Sequence, residues 1–410
     1  MTINKKGNFI IIAFIVELII ALFNIQQLQL QSLDEISEIF ALVYLFWFLV
    51  TKANEIDSFT KIYVAFLLAM VASGLIGNVL HDNYSYSWLY TFEDVFLFLK
   101  PFVFFLVAYL AVRDKETSNY VFNVIKRVSQ ILIYAIFLVL LYAYITKSTI
   151  LLRTSSWVPF PQIPFFVFFV GTAAPFAAIV GVLYILCLSD LKERGFKLAR
   201  IMCIIILLST QSGMGFGILI FGVLFSIFKL KKRMPWYYIL LLGIIAVIAE
   251  WNDISGYLLS NISARSILFR NSFLVLKRFF PFGSGFSTYG STIAAQHYSK
   301  LYLEYGFNAI WGLSPWLDPI NNYLYDTYYP QIIAQLGTIG TLAFIFYFIY
   351  LFKKFNTGII DNNLRAPLLF GIFSILIMST GQGAFGGIYG MLIMITLGVI
   401  FRVAVSEHVE

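Results

Sequence analysis

The run YYPQIIAQLGTIGTLAFIFYFIYLF (residues 328–352) holds no charged side chain, and Asp326 and the pair Lys353 and Lys354 bound it. A helix needs about 20 apolar residues to cross the hydrocarbon core of a bilayer, so this run reads as a membrane span. Working outward with the same criterion, apolar runs near 9–26, 36–51, 62–80, 94–112, 129–145, 163–188, 199–211, 213–229, 236–250, 365–381 and 386–403 read as further spans. The expected fold class is therefore all-α: a polytopic membrane protein with about 12 transmembrane helices and one large outer loop carrying short helices. The weakest pair is 199–211 and 213–229, which a single broken helix would also explain.

Composition agrees. The chain has 410 residues, 60% hydrophobic and 12% charged, with a mean hydropathy of +0.85. Soluble domains run near 45–50% apolar and about 25% charged, so a soluble enzyme, a nucleic-acid binder and a disulfide scaffold are excluded. Both cysteines, Cys187 and Cys203, fall in apolar runs, where a thiol behaves as a small hydrophobe. Lys5 and Lys6 precede the first run with no small-residue cleavage site after it, which reads as a retained span.

The formal charge of +7 reports topology before affinity. With twelve spans and a cytoplasmic N-terminus, twenty of the twenty-eight Lys and Arg residues fall inside and seven outside, as the positive-inside rule requires, with Lys100 within a span. The chain then divides into spans 1–9 (residues 1–250), one outer loop (251–327) and spans 10–12 (328–410), a single integral membrane domain. Loops beyond about 12–15 residues usually carry function. This one also holds five of the seven outside cations, so it is the expected site.

Within the loop, ARSILFRNSFLVLKRFFPFGSGF (264–286) reads as an apolar helix of about 14 residues ended by Pro281, too short to span. Arg265, Arg270, Lys277 and Arg278 suit a phosphate or pyrophosphate, because guanidinium matches phosphate oxygens bidentately; anchoring of an interfacial helix to anionic headgroups is the other reading. PFGSGF (281–286) is either a turn or a backbone nest for an anion. Rings crowd the loop and its neighbours, among them Tyr298, Tyr302, Trp311, Trp316, Tyr325, Tyr328, Tyr329 and Trp88; they are an interfacial belt or stacking platforms for sugars. Asp326, where the loop re-enters the membrane, suits a general base if burial raises its pKa. Glu17 and Lys100 lie within spans, where ionisable groups are costly. His81, His297 and His408 form no ligand spacing, so no metal or other cofactor is expected.

Three segments in order resemble the superfamily of O-antigen ligases and Wzy-type O-antigen polymerases. LLSTQSGMGFGILIFGVL (207–224) is similar to its Thr-x-Ser-Arg-Gly helix junction, although Gly213 stands where the family has Arg. Residues 264–286 resemble its Arg, amphipathic run and Pro-x-x-Gly-x-Gly, with the glycines here at Gly283 and Gly285. DTYYPQIIAQLGTIG (326–340) is similar to the segment after its large periplasmic loop, with Gln335 in place of Glu. The resemblance covers under a fifth of the chain.

It implies a metal-independent glycosyltransferase acting on undecaprenyl-pyrophosphate-linked glycan donor and acceptor at the periplasmic face of the inner membrane, with both termini cytoplasmic. Catalytic roles fall to Asp326 and Arg265, and pyrophosphate binding to Arg265, Arg270, Lys277, Arg278 and Lys100. Glycan contacts fall to Tyr325, Tyr328, Tyr329 and Trp88. The expected partners are membrane lipids and a chain-length-regulating co-polymerase, with no nucleic acid. An acid at position 326 looks more like a polymerase than a ligase; the alternatives are a ligase acting on lipid A core and a lipid-linked oligosaccharide flippase.

Overall fold

A computed structural model describes residues 5–23, 31–84, 87–155, 158–190, 193–228, 234–235, 237, 244, 255, 263–317, 323–326, 328–359, 362–381, 385 and 387–406. The helices are α1 (Lys5–Phe23), α2 (Gln31–Thr51), α3 (Ser58–Leu80), α4 (Trp88–Ala111), α5 (Lys115–Thr146), α6 (Ala173–Leu188), α7 (Arg194–Thr210) and α8 (Gly213–Phe228). After them come α9 (Ala264–Arg278), α10 (Thr292–Gln296), α11 (Lys300–Glu304), α12 (Tyr328–Thr357), α13 (Asn362–Gly381) and α14 (Ile388–Ser406). One antiparallel pair, β1 (Leu152–Arg153) with β2 (Phe165–Phe166), is the sheet among the described residues.

Among the described residues, six helices are long and apolar enough to cross a membrane: α3, α4, α5, α12, α13 and α14. Shorter apolar helices occupy 7–23, 39–51, 173–188 and 213–225. The run at 236–250 and the first part of the long loop fall mostly outside the described residues. α4 and α14 pack against each other along their lengths and are the most buried of the set. The outward faces of α2, α3 and α5 expose Phe46, Leu68 and Ile131, as a bilayer solvent allows.

Several boundaries differ from the apolar runs for local reasons. α4 starts at Trp88 because the Ser87 side chain accepts the Tyr90 N–H at 3.3 Å, an N-cap that draws Glu93 and Asp94 into the helix. The run at 163–188 yields an α-helix only from Ala173, since residues 165–166 pair as strand and 168–170 form a single 3-10 turn. α7 and α8 are two helices: Gln211 takes a left-handed conformation, and the Ser212 hydroxyl accepts the Gly215 N–H to open α8.

The largest departure lies in the run that opened the reading. α12 is not one straight span. Gly337 has φ +62° and ψ −164°, so the helix breaks there. Tyr328, nine residues before the break, meets Phe344, seven residues after it, at 6.1 Å between ring centroids, and Thr341 Oγ1 donates to the Ile332 carbonyl at 3.3 Å. The two legs therefore fold back on each other. The second leg, residues 338–357, measures about 30 Å at 1.5 Å per residue and alone matches a bilayer.

Candidate functional site

A broken helix leaves carbonyls without their intrahelical donors, and in a low-dielectric interior these must be satisfied. The loop supplies the donors. Ser284 N–H donates to the Ala334 carbonyl at 2.9 Å and Gly285 N–H to the Gln335 carbonyl at 3.1 Å, while the Ser73 hydroxyl of α3 donates to the Leu336 carbonyl at 2.7 Å. The approach is close enough that a Cβ on Gly283 would lie 2.4 Å from the Gly337 nitrogen, and one on Gly337 would lie 2.2 Å from the Gly283 nitrogen.

The same turn is gripped from α3 and α4. Asn78 accepts the Phe286 N–H at 2.7 Å and returns a bond to the Phe286 carbonyl at 2.9 Å. Asp94, 1% exposed, accepts the Ser287 N–H at 2.5 Å and the Gln335 side-chain amide at 2.9 Å. Gln331 donates in turn to Gln335 at 3.3 Å. The backbone N–H groups of Gly283, Ser284, Gly285, Phe286 and Ser287 are thus all donated to protein acceptors. PFGSGF is a docking turn and not an anion nest.

The loop also has a core of its own. Leu268, Val275, Tyr289, Tyr302, Phe307 and Leu324 are buried together. Tyr298 and Tyr302 belong to it at 8% and 0% exposure, so these rings hold the loop together and present no face to a sugar. Tyr328, 1% exposed, is packed against Phe344 and Phe385, and the Tyr329 hydroxyl donates to the Leu376 carbonyl at 2.6 Å. Of the four rings assigned to glycan, Trp88 and Tyr325 are the exposed ones.

The structure sorts the five cations. Arg265, at the first turn of α9, donates from Nε to Asp326 Oδ2 at 2.6 Å, and a terminal guanidinium nitrogen meets the same oxygen. The two lie 61 residues apart in sequence, and their side chains are 22% and 23% exposed. Burial raises the Asp326 carboxyl above its ordinary value, and the neighbouring Arg265 opposes that rise without cancelling it. Arg278 instead reaches Glu304 at 2.6 Å and the Tyr84 hydroxyl at 2.5 Å, tying the loop to the segment after α3. Arg265 and Arg278 are separated by about 20 Å along the helix axis, so the four loop cations do not form one pocket. Arg270 and Lys277 are on the exposed side of α9. Lys100 is buried in α4 beside a small cleft that Leu42, Phe96, Leu99, Val103 and Phe104 also line.

The candidate site is therefore the pair Arg265 and Asp326, where α9 begins and the first leg of α12 enters. Chemically it unites an anion-binding guanidinium with a carboxylate whose proton affinity burial has raised. Sequence reading found both residues but not Asn78, Gln335 and Gly337 as the frame that docks the turn after α9 against the break in α12; Asp94 was visible only as one of several acids near a span end. No protein family model matches the chain, and no curated protein matches it.

Proposed function

We propose that this chain is a multi-span glycosyltransferase that polymerises undecaprenyl-pyrophosphate-linked oligosaccharide repeat units into a surface polysaccharide at the periplasmic face of the inner membrane. The twelve-span topology with an outer loop at 251–327 belongs to the same proposal. The observation that carries it is the convergence of Arg265 with Asp326, the two residues to which the resemblance assigns catalysis.

At rest the pair is mutually neutralised. When the donor pyrophosphate arrives, its oxygens compete for Arg265, and the guanidinium stabilises the charge that develops on the leaving group. Asp326, freed of the opposing cation, becomes the stronger base. The acceptor sugar hydroxyl attacks the anomeric carbon; the new carbon–oxygen bond forms as the bond to the pyrophosphate oxygen breaks. The hydroxyl proton passes to Asp326, and undecaprenyl pyrophosphate departs with the bonding electron pair. General base catalysis of this kind contributes about 10²–10⁴-fold.

The test is gel analysis of surface polysaccharide from a deletion strain complemented with wild type, Arg265→Ala or Asp326→Asn, each at matched membrane abundance. The reading expects a ladder with wild type and a single repeat unit on lipid A core with either variant. Loss of the single capped unit too would point to a ligase or flippase instead.

The pH dependence is specific. Asp326 acts as a base only when ionised, so activity falls as pH drops through its raised pKa. Because Arg265 pulls that pKa down, Arg265→Gln moves the acid limb of the residual activity to higher pH, whereas Arg265→Lys holds it nearer the wild-type position. An unmoved limb in Arg265→Gln contradicts the assignment.

A further inference from the structure

One face of α9 takes no part in the site. Leu268, Val275 and Phe279, with Ser272 between them, face the loop core. On the opposite side Arg270, Phe273, Leu274 and Lys277 follow the i, i+3, i+4, i+7 spacing that gathers residues into one helical stripe. Phe273 is 47% and Leu274 53% exposed, and Phe280, just past the helix end, is 69% exposed. The sequence of α9, ARSILFRNSFLVLKR, contains no acid. Large apolar side chains bracketed by cations on an outward face are what an interfacial helix presents to a bilayer.

The packing says where this stripe lies. The Pro281 carbonyl, directly after Phe280, accepts the Ile339 N–H of α12 at 3.3 Å. Ile339 opens the lipid-facing side of the second leg, on which Leu342, Ile345, Phe346 and Ile349 are also exposed. The stripe of α9 thus ends beside the exposed apolar face of a helix that is long and apolar enough to cross a membrane.

We propose that the outward face of α9 is a lipid-docking surface: Phe273, Leu274 and Phe280 enter the acyl boundary, and Lys277 with Arg270 lies among the phosphates of anionic phospholipids. A cation near an anionic surface gains from its potential within a Debye length, so the surface favours acidic over zwitterionic headgroups. This seats the loop on the membrane while Arg265, on another side of the same helix, stays turned to Asp326. The inference is independent of the polymerase reading, since a transporter would carry the same surface.

The full chain, with buried Cys187 and Cys203 replaced by Ala, is spin-labelled at Phe273→Cys, Leu274→Cys or, as a solvent reference, Leu303→Cys in α11, which is 48% exposed. It is placed in nanodiscs of phosphatidylcholine with or without phosphatidylglycerol. Labels at 273 and 274 are expected to collide with oxygen in preference to a water-soluble nickel chelate, and the label at 303 to do the reverse. Spin-labelled phosphatidylglycerol is expected to be held over phosphatidylcholine, with selectivity falling up to about fivefold per cation in Lys277→Gln and Arg270→Gln. Nickel accessibility at 273 equal to that at 303 overturns the proposal. So does a label shielded from both reagents, which marks a protein partner, or lipid selectivity indifferent to both substitutions.

Discussion

The two legs of α12 come from one uncharged run and behave as different materials. The second leg, 338–357, turns Ile345, Phe346 and Ile349 outward and meets the loop's backbone at its first turn, where the Ile339 N–H donates to the Pro281 carbonyl. The first, 328–336, is closed off by Ser284, Gly285 and Ser73 at its carbonyls and by Asp94 at Gln335. Both legs share the same uncharged, largely apolar composition up to the closing Lys353 and Lys354. What separates them is a single residue able to adopt φ +62° and a loop turn shaped to receive the exposed carbonyls.

The comparison is broken most severely at the hinge. Gly337→Ala puts a Cβ within 2.2 to 2.4 Å of the Gly283, Phe282 and Pro281 backbone and forces a left-handed φ on an L-residue. A loss of about 3 kcal/mol or more is expected, read as a lowered unfolding temperature in detergent and as loop cleavage under limited proteolysis. Asp94→Ala comes next. It strips the acceptor from the Ser287 N–H and the Gln335 amide, at about 1–3 kcal/mol for each group left buried and unpaired, again measured by thermal unfolding. Ser73→Ala, which removes one donor from the Leu336 carbonyl, is expected to cost about 1 kcal/mol. In the second leg, Ile349→Leu changes an exposed side chain that makes no part of the core, and its effect should stay within about 0.5 kcal/mol. If the Ile349 variant destabilised as much as the Ser73 one, the distinction between the legs would fail.

That distinction also marks how far the sequence could be read. Membrane character and the helical class follow from apolar runs, because in lipid each helix satisfies its own backbone and run length is nearly sufficient. The first leg escaped that logic: its break depends on donors from Ser284, 50 residues away, and from Ser73, 263 residues away. The loop helix was legible in both extent and end, α9 spanning Ala264–Arg278 just before Pro281. Its cations were read as one cluster because spacing along a helix carries no information about the partner each will meet; Glu304 claims Arg278, and Asp326 claims Arg265. The loop tyrosines were ambiguous for a related reason. A ring that stacks on a sugar and a ring that fills a small core have the same sequence signature, and burial alone separates Tyr302 from Tyr325.

The most direct test of the proposed chemistry is reconstitution of the purified chain in nanodiscs with an undecaprenyl-pyrophosphate-linked repeat unit, following released undecaprenyl pyrophosphate and glycan length together. The account predicts that wild type releases one lipid pyrophosphate for each unit added, and that Asp326→Asn loses both activities while its loop stays as resistant to protease as wild type. Release and elongation at wild-type rates by folded Asp326→Asn would contradict it.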